Sequence, residues 1–139
     1  MSVTYVDSSA LVKLIVREAE TDALRSYLGS AGTLTSSILA TVEVSRAVAR
    51  VAPDSKAVMT AVFDAVAMVA FDARIAARAG ALAPASLRTL DAVHLATALE
   101  LAGDVTAFVS YDDRLSAAAH DLGLPVVAPT GTADLPAPG

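Results

Sequence analysis

A chain of 139 residues, 55% hydrophobic and 18% charged, is long enough for one packed domain and leaves no room for a second. It contains no cysteine, which excludes disulfides, thiol catalysis and thiolate metal sites and fits a reducing, cytoplasmic setting. The net charge of −5 argues against broad nonspecific attraction to nucleic acid, while leaving local arginines free to meet phosphate.

The apolar run Val3-Thr4-Tyr5-Val6 reads as a buried strand, and Ser8 or Ser9 is placed to cap a helix running through Leu11, Leu14 and Ile15 toward Glu18. A second helix is expected over residues 20–28, stopped by the glycines at 29 and 32. Residues 34–36 suit a short strand. Ile38, Leu39, Val42, Val48 and Val51 then recur at helical spacing up to Pro53. A helix starting at Asp54-Ser55 and ending near Met68, a short strand over 69–71 and an alanine-rich helix to about Leu82 follow. Beyond Pro84, Thr89 is the expected cap of a helix over 90–101. Residues 105–109 form the clearest later strand. Asp112 or Asp113 opens a helix closed by Gly123, and 125–128 make a last strand. Residues 1–129 are thus read as the domain and 130–139 as a flexible tail. Every long apolar stretch is cut by charge, and the N-terminus lacks the basic start of an export signal, so a soluble, non-membrane protein is expected.

Strands separated by helices predict an α/β fold, a three-layer α/β/α sandwich around a mainly parallel sheet. In such sheets ligands bind beyond the carboxyl ends of the strands, where Asp7 and Asp112 both fall. Asp7, Asp91 and Asp112 each stand near a helix start, where an acid serves equally as a cap. Glu43 lies inside a helix, and its bland reading is an exposed partner of Arg46. Gathered together, four carboxylates would repel one another without a cation and would suit Mg²⁺ or Mn²⁺, which prefer oxygen ligands. His94, three residues after Asp91, is read as structural support for that acid, and His120 as surface. Ser9 and Ser110 are placed to hydrogen-bond the carboxylates or simply to cap. A nucleophile elbow and a glycine-rich phosphate loop are both lacking. A receiver domain would want a late lysine, but the last is Lys56; a haloacid-dehalogenase-type phosphatase would want an aspartate where Ser9 stands.

The segments at residues 5–13, Val42-Glu43-Val44 with Arg46-Ala47, residues 90–98, and residues 108–115 with Ala118, Gly123 and Leu124 together resemble a PIN-domain ribonuclease of the VapC toxin type. The resemblance implies a PIN-like fold and Mg²⁺- or Mn²⁺-dependent endonucleolytic cleavage of RNA, leaving a 5′-phosphate and a 3′-hydroxyl. It assigns Asp7, Glu43, Asp91 and Asp112 as the acidic quartet that binds metal and catalyses, with Asp7 and Asp91 nearest the principal ion. Ser110 matches a family Ser/Thr. Arg114 stands where some relatives carry a further acid. Lys13, Arg46, Arg88 and Arg114 lie near these motifs as candidate RNA-backbone contacts. A cognate antitoxin protein and a homodimer are further implications. The alternative is a PIN fold kept as an RNA- or protein-binding module without catalysis.

Overall fold

The computed structural model describes residues 2–131. Its elements run β1 (Val3–Val6), α1 (Ser8–Ile15), α2 (Thr21–Gly29), β2 (Thr33–Ser37), α3 (Leu39–Val51), α4 (Lys56–Asp64), β3 (Ala67–Val69), α5 (Ala73–Ala81), α6 (Thr89–Glu100), β4 (Val105–Val109), α7 (Asp113–Asp121) and β5 (Val126–Val127). The strands form one sheet in the order β3-β2-β1-β4-β5, every pair parallel.

Strand alternation divides the apolar side chains between two cores. Val3 and Tyr5 of β1 pack with Val105 and Phe108 of β4 against α6 and α7, whereas Val6, Ala107 and Val109 pack against α1, α2 and α3. Val105 and Phe108 share a face because the β1–β4 register slips between Val3 and Thr4, leaving Thr106 as the extra residue of a bulge. The sheet therefore carries helices on both sides, the three-layer α/β/α arrangement the sequence predicts. Fully buried Leu11, Leu24 and Leu95 each stabilise the fold by roughly 1.5–3 kcal/mol. Helix α6 is buried over every residue from Ala92 to Ala98, which requires its alanine-rich, nearly uncharged sequence.

Two glycines are dictated by geometry. Gly123 closes α7 at φ 83°, the left-handed conformation that spares glycine a steric penalty. At Gly32 a Cβ would come within 2.5 Å of the Ser2 carbonyl oxygen.

Several boundaries differ from expectation. Helix α1 is capped by Asp7, not Ser8 or Ser9, and ends at Ile15, where Thr21 donates its hydroxyl to the Lys13 carbonyl. Helix α4 stops at Asp64 and β3 lies two residues earlier than read, because the apolar run over 65–71 marks no edge; Asp72 caps α5. Thr89 is the first helical residue of α6, and Arg88 occupies the cap position without a side-chain bond. Of the expected tail, 132–139 lie outside the described residues.

From β1 the chain moves outward through β2 and β3, then crosses back to β4 on the other flank of β1. Helices therefore leave the carboxyl ends of β1 and β4 toward opposite faces, opening a crevice there.

Candidate active site

Asp7 ends β1 at this crevice and is 2% exposed. Its Oδ1 accepts from the Ala10 backbone N–H at 2.9 Å and the Ser9 hydroxyl at 2.6 Å, and its Oδ2 from the Ser110 hydroxyl at 2.6 Å. Both serines are themselves pinned: the Tyr111 N–H donates to Ser9 Oγ and the Asp112 N–H to Ser110 Oγ. The turns after β1 and β4 are thus stitched through one carboxylate. Burial pushes the Asp7 pKa up, against the opposing pull of Ser110, Ser9, the Ala10 amide and the nearby His94.

Glu43 projects from the middle of α3 to the same edge. Its Oε1 accepts from Ser8 Oγ and from His94 Nε2, both at 2.8 Å. Burial would raise its pKa, but the hydrogen bond and charge of His94, with the Ser8 bond, outweigh burial and hold it below the ordinary value. His94 is therefore the partner of Glu43, not of Asp91, correcting the sequence reading. The other ring nitrogen, Nδ1, lies 2.7 Å from the buried Tyr5 hydroxyl.

Asp91, in the first turn of α6, is half-buried, and its pKa is raised by burial and by the charges of Asp112 and Glu43, with His94 and Arg88 opposing. Asp112 caps α7, its Oδ1 accepting from the Leu115 N–H at 3.0 Å. Asp91 thus lies within electrostatic reach of Asp112 and Glu43, while Ser8 and Ser110 tie Glu43 and Asp112 to the turns beside Asp7. Arg88 and Arg114 line a cavity of about 340 Å³ with Asp91, Ser86 and Leu87. Arg46 and Arg50 line another of about 400 Å³ beside Glu43.

The model for the PIN domain family matches residues 4–121. The chain belongs to the PIN-domain family. Ribonuclease VapC46 of Mycobacterium tuberculosis is 44% identical over 130 residues, covering 94% of this PIN domain and 100% of that protein. Ribonuclease VapC35 of the same organism is 45% identical over 130 residues, covering 90% and 96%. Among solved structures, M. tuberculosis VapC20, described as a sarcin-ricin loop cleaving toxin, superposes with a TM-score of 0.67 at 16% identity, covering 84% of this chain and 95% of that one. A chain of a toxin–antitoxin complex from Klebsiella pneumoniae gives 0.66 at 20% identity, covering 91% and 97%. These two likenesses show the fold, and the curated relatives group this PIN domain with the VapC ribonucleases.

The donor chemistry of the PIN domain suits a hard divalent cation. The four acids offer oxygen alone, and the mutual repulsion that raises Asp91 is the charge such an ion would relieve. Among the described residues no three acids or histidines are already drawn to ligating distance, since Asp7 and Glu43 are held by their hydroxyl and imidazole donors. Ser8 and Tyr5 belong to this network and were not singled out for it by sequence reasoning, Ser8 having been read only as a cap. Lys13, expected near RNA, is instead committed to Glu18 at 2.8 Å and Glu20 at 2.9 Å and lies over the Tyr111 ring. His120 is exposed beside Asp121, as read. Among the described residues no helix is long and apolar enough to cross a membrane.

Proposed function

We propose that this protein is a divalent-metal-dependent endoribonuclease, the toxin of a type II toxin–antitoxin pair working in the cytoplasm. Support for this reading comes from the electrostatic coupling of Asp91 to Glu43 and Asp112 and the hydrogen bonds that tie Glu43 and Asp112 to the turns beside Asp7, in a chain 44% identical to a VapC ribonuclease. These four acids would hold Mg²⁺ or Mn²⁺. When bound, such an ion supplies a more acidic water and relief of charge on the phosphate oxygens. Ser9 and Ser110 fix the orientation of the Asp7 carboxylate, the acid that would serve as the central anchor. Arg88 and Arg114, exposed in the same cavity as Asp91, would present positive charge for the RNA backbone, with Arg46 performing the same service beside Glu43. Lys13 drops out of that set because its ammonium is already paired.

Hydrolysis adds hydroxide to phosphorus and a proton to the departing 3′ oxygen, so the products carry a 5′-phosphate and a 3′-hydroxyl. An antitoxin that covers the acidic edge, and a second copy of this chain as dimer partner, are the macromolecular partners this reading calls for.

The test is cleavage of a mixed RNA panel by purified chain with Mg²⁺, with Mn²⁺ and with chelator. Cleavage is expected only with metal and is expected to vanish in Asp7→Asn while the circular dichroism spectrum stays native. Equal cleavage by both proteins would expose a contaminant. A folded wild type inactive on every RNA with metal present would instead favour a binding module.

A further inference from the structure

Glu43 faces a problem that Asp7 and Asp112, each fixed as a helix cap, do not. It sits within α3 between exposed Val42 and buried Val44, on a long side chain with Arg46 one helical step away to draw it outward. Nothing in its own helix holds it at the crevice. We infer that His94 is a positioning residue for Glu43, one that, braced by Tyr5 and assisted by Ser8, pins one carboxylate oxygen and leaves the other free. This rests on the nuclease reading above and assigns a role within that site.

The hydrogen bonds close in only a few steps. The Tyr5 hydroxyl lies 2.7 Å from His94 Nδ1. Glu43 Oε1 only accepts, so His94 Nε2 carries a proton and donates to it at 2.8 Å, while Ser8 Oγ, 3.2 Å from Nε2, gives its own proton to the same oxygen at 2.8 Å. Tyr5 cannot swing, because its ring stacks on Phe108 at 5.1 Å and meets the imidazole edge-on at 5.9 Å. Oε1 thus receives two donors from two different helices, α1 and α6, whereas Oε2 has no hydrogen-bond partner among the described residues. The arrangement also argues against His94 as a direct ligand. The residue is 2% exposed, and both its nitrogens are engaged.

The experiment reads Mn²⁺ binding to the full chain by electron paramagnetic resonance, alongside RNA cleavage. Gln at position 94 places an amide nitrogen about where Nε2 stands, so His94→Gln is expected to bind Mn²⁺ within about threefold of wild type. His94→Leu, which cannot donate, is expected to weaken binding about tenfold or more. In a Glu43→Ala background the His94→Leu loss is expected to shrink to a small remainder, since Glu43 is the acid that His94 hydrogen-bonds. Should His94→Leu fail to fold, Ser8→Ala and Tyr5→Phe carry the same test, each weakening binding mainly when Glu43 is present. Wild-type binding by folded His94→Leu, an equal loss in both backgrounds, or no rescue by His94→Gln would each overturn the inference alone. A wild type that neither binds Mn²⁺ nor cleaves RNA would overturn it together with the nuclease reading.

Discussion

Replacing Ser110 with alanine removes one oxygen from the interior and changes two bonds. The hydroxyl donates at 2.6 Å to Oδ2 of a carboxylate that is 2% exposed, and it accepts from the Asp112 N–H at 3.1 Å. A hydrogen bond to a charged group contributes roughly 1.5–3 kcal/mol, whereas the Asp112 amide sits on a half-buried residue where water can replace its partner. Ser110→Ala is therefore expected to lose about 2 kcal/mol at neutral pH, roughly 8 °C in melting temperature for a chain of this length. The loss must depend on pH. Burial holds the Asp7 pKa above its ordinary value and Ser110 opposes that rise, so deleting Ser110 lifts it further. A raised carboxyl makes the folded state the better proton binder, so stability increases as pH falls through the folded pKa. The variant gains more than wild type over that window, and the gap narrows toward the ~1 kcal/mol of a neutral hydrogen bond. Urea denaturation followed by circular dichroism, from neutral into acidic pH, measures this directly. A gap below about 0.5 kcal/mol at neutral pH, or one that stays constant across the series, would refute the reasoning.

Asp7→Asn keeps an oxygen to cap α1 and discards a charge that burial penalises, so its urea midpoint at neutral pH is expected to equal or exceed that of wild type, the advantage fading as pH falls through the raised pKa of Asp7; a clear loss would contradict this. Asp112→Asn removes a like charge beside Asp91, and carbon-13 titration of the Asp91 carboxyl should show its midpoint moving down; an unmoved midpoint would break the link between the two acids. Arg88→Ala and Arg114→Ala, in the non-cleaving Asp7→Asn background, are each expected to weaken RNA binding and to reduce the salt dependence of log K by about 0.7; an unchanged slope would remove them from the backbone contacts.

What could be read from the residues followed the physics of each segment. Strands β1 and β4 announce themselves as short apolar runs ended by polar residues, and α6 as a nearly uncharged helix after a loop. The edge of β3 was hidden inside seven apolar residues with no punctuation. Capping and participation in the acidic cluster looked like rival readings for Asp7 and Asp112; the geometry makes them compatible, because a cap uses one oxygen. Sequence spacing pointed His94 at Asp91, one turn away, whereas its hydrogen bond reaches Glu43, 51 positions earlier. No periodicity within a helix can reveal a partner delivered by a different element. The roles of Ser8 and Tyr5 were out of reach for the same reason, since each becomes meaningful only once α3 and α6 are packed beside β1.

Because all five strands point the same way, the molecule has two ends of unlike character. Every acid of the cluster is found at one end, and the turns leading into β2, β4 and β5, with Gly32, Gly103 and Gly123, are found at the other. A fluorophore or surface tether attached at the Gly103 turn, where added atoms meet open space, would hold the protein by its blank end and leave its working mouth facing the solution.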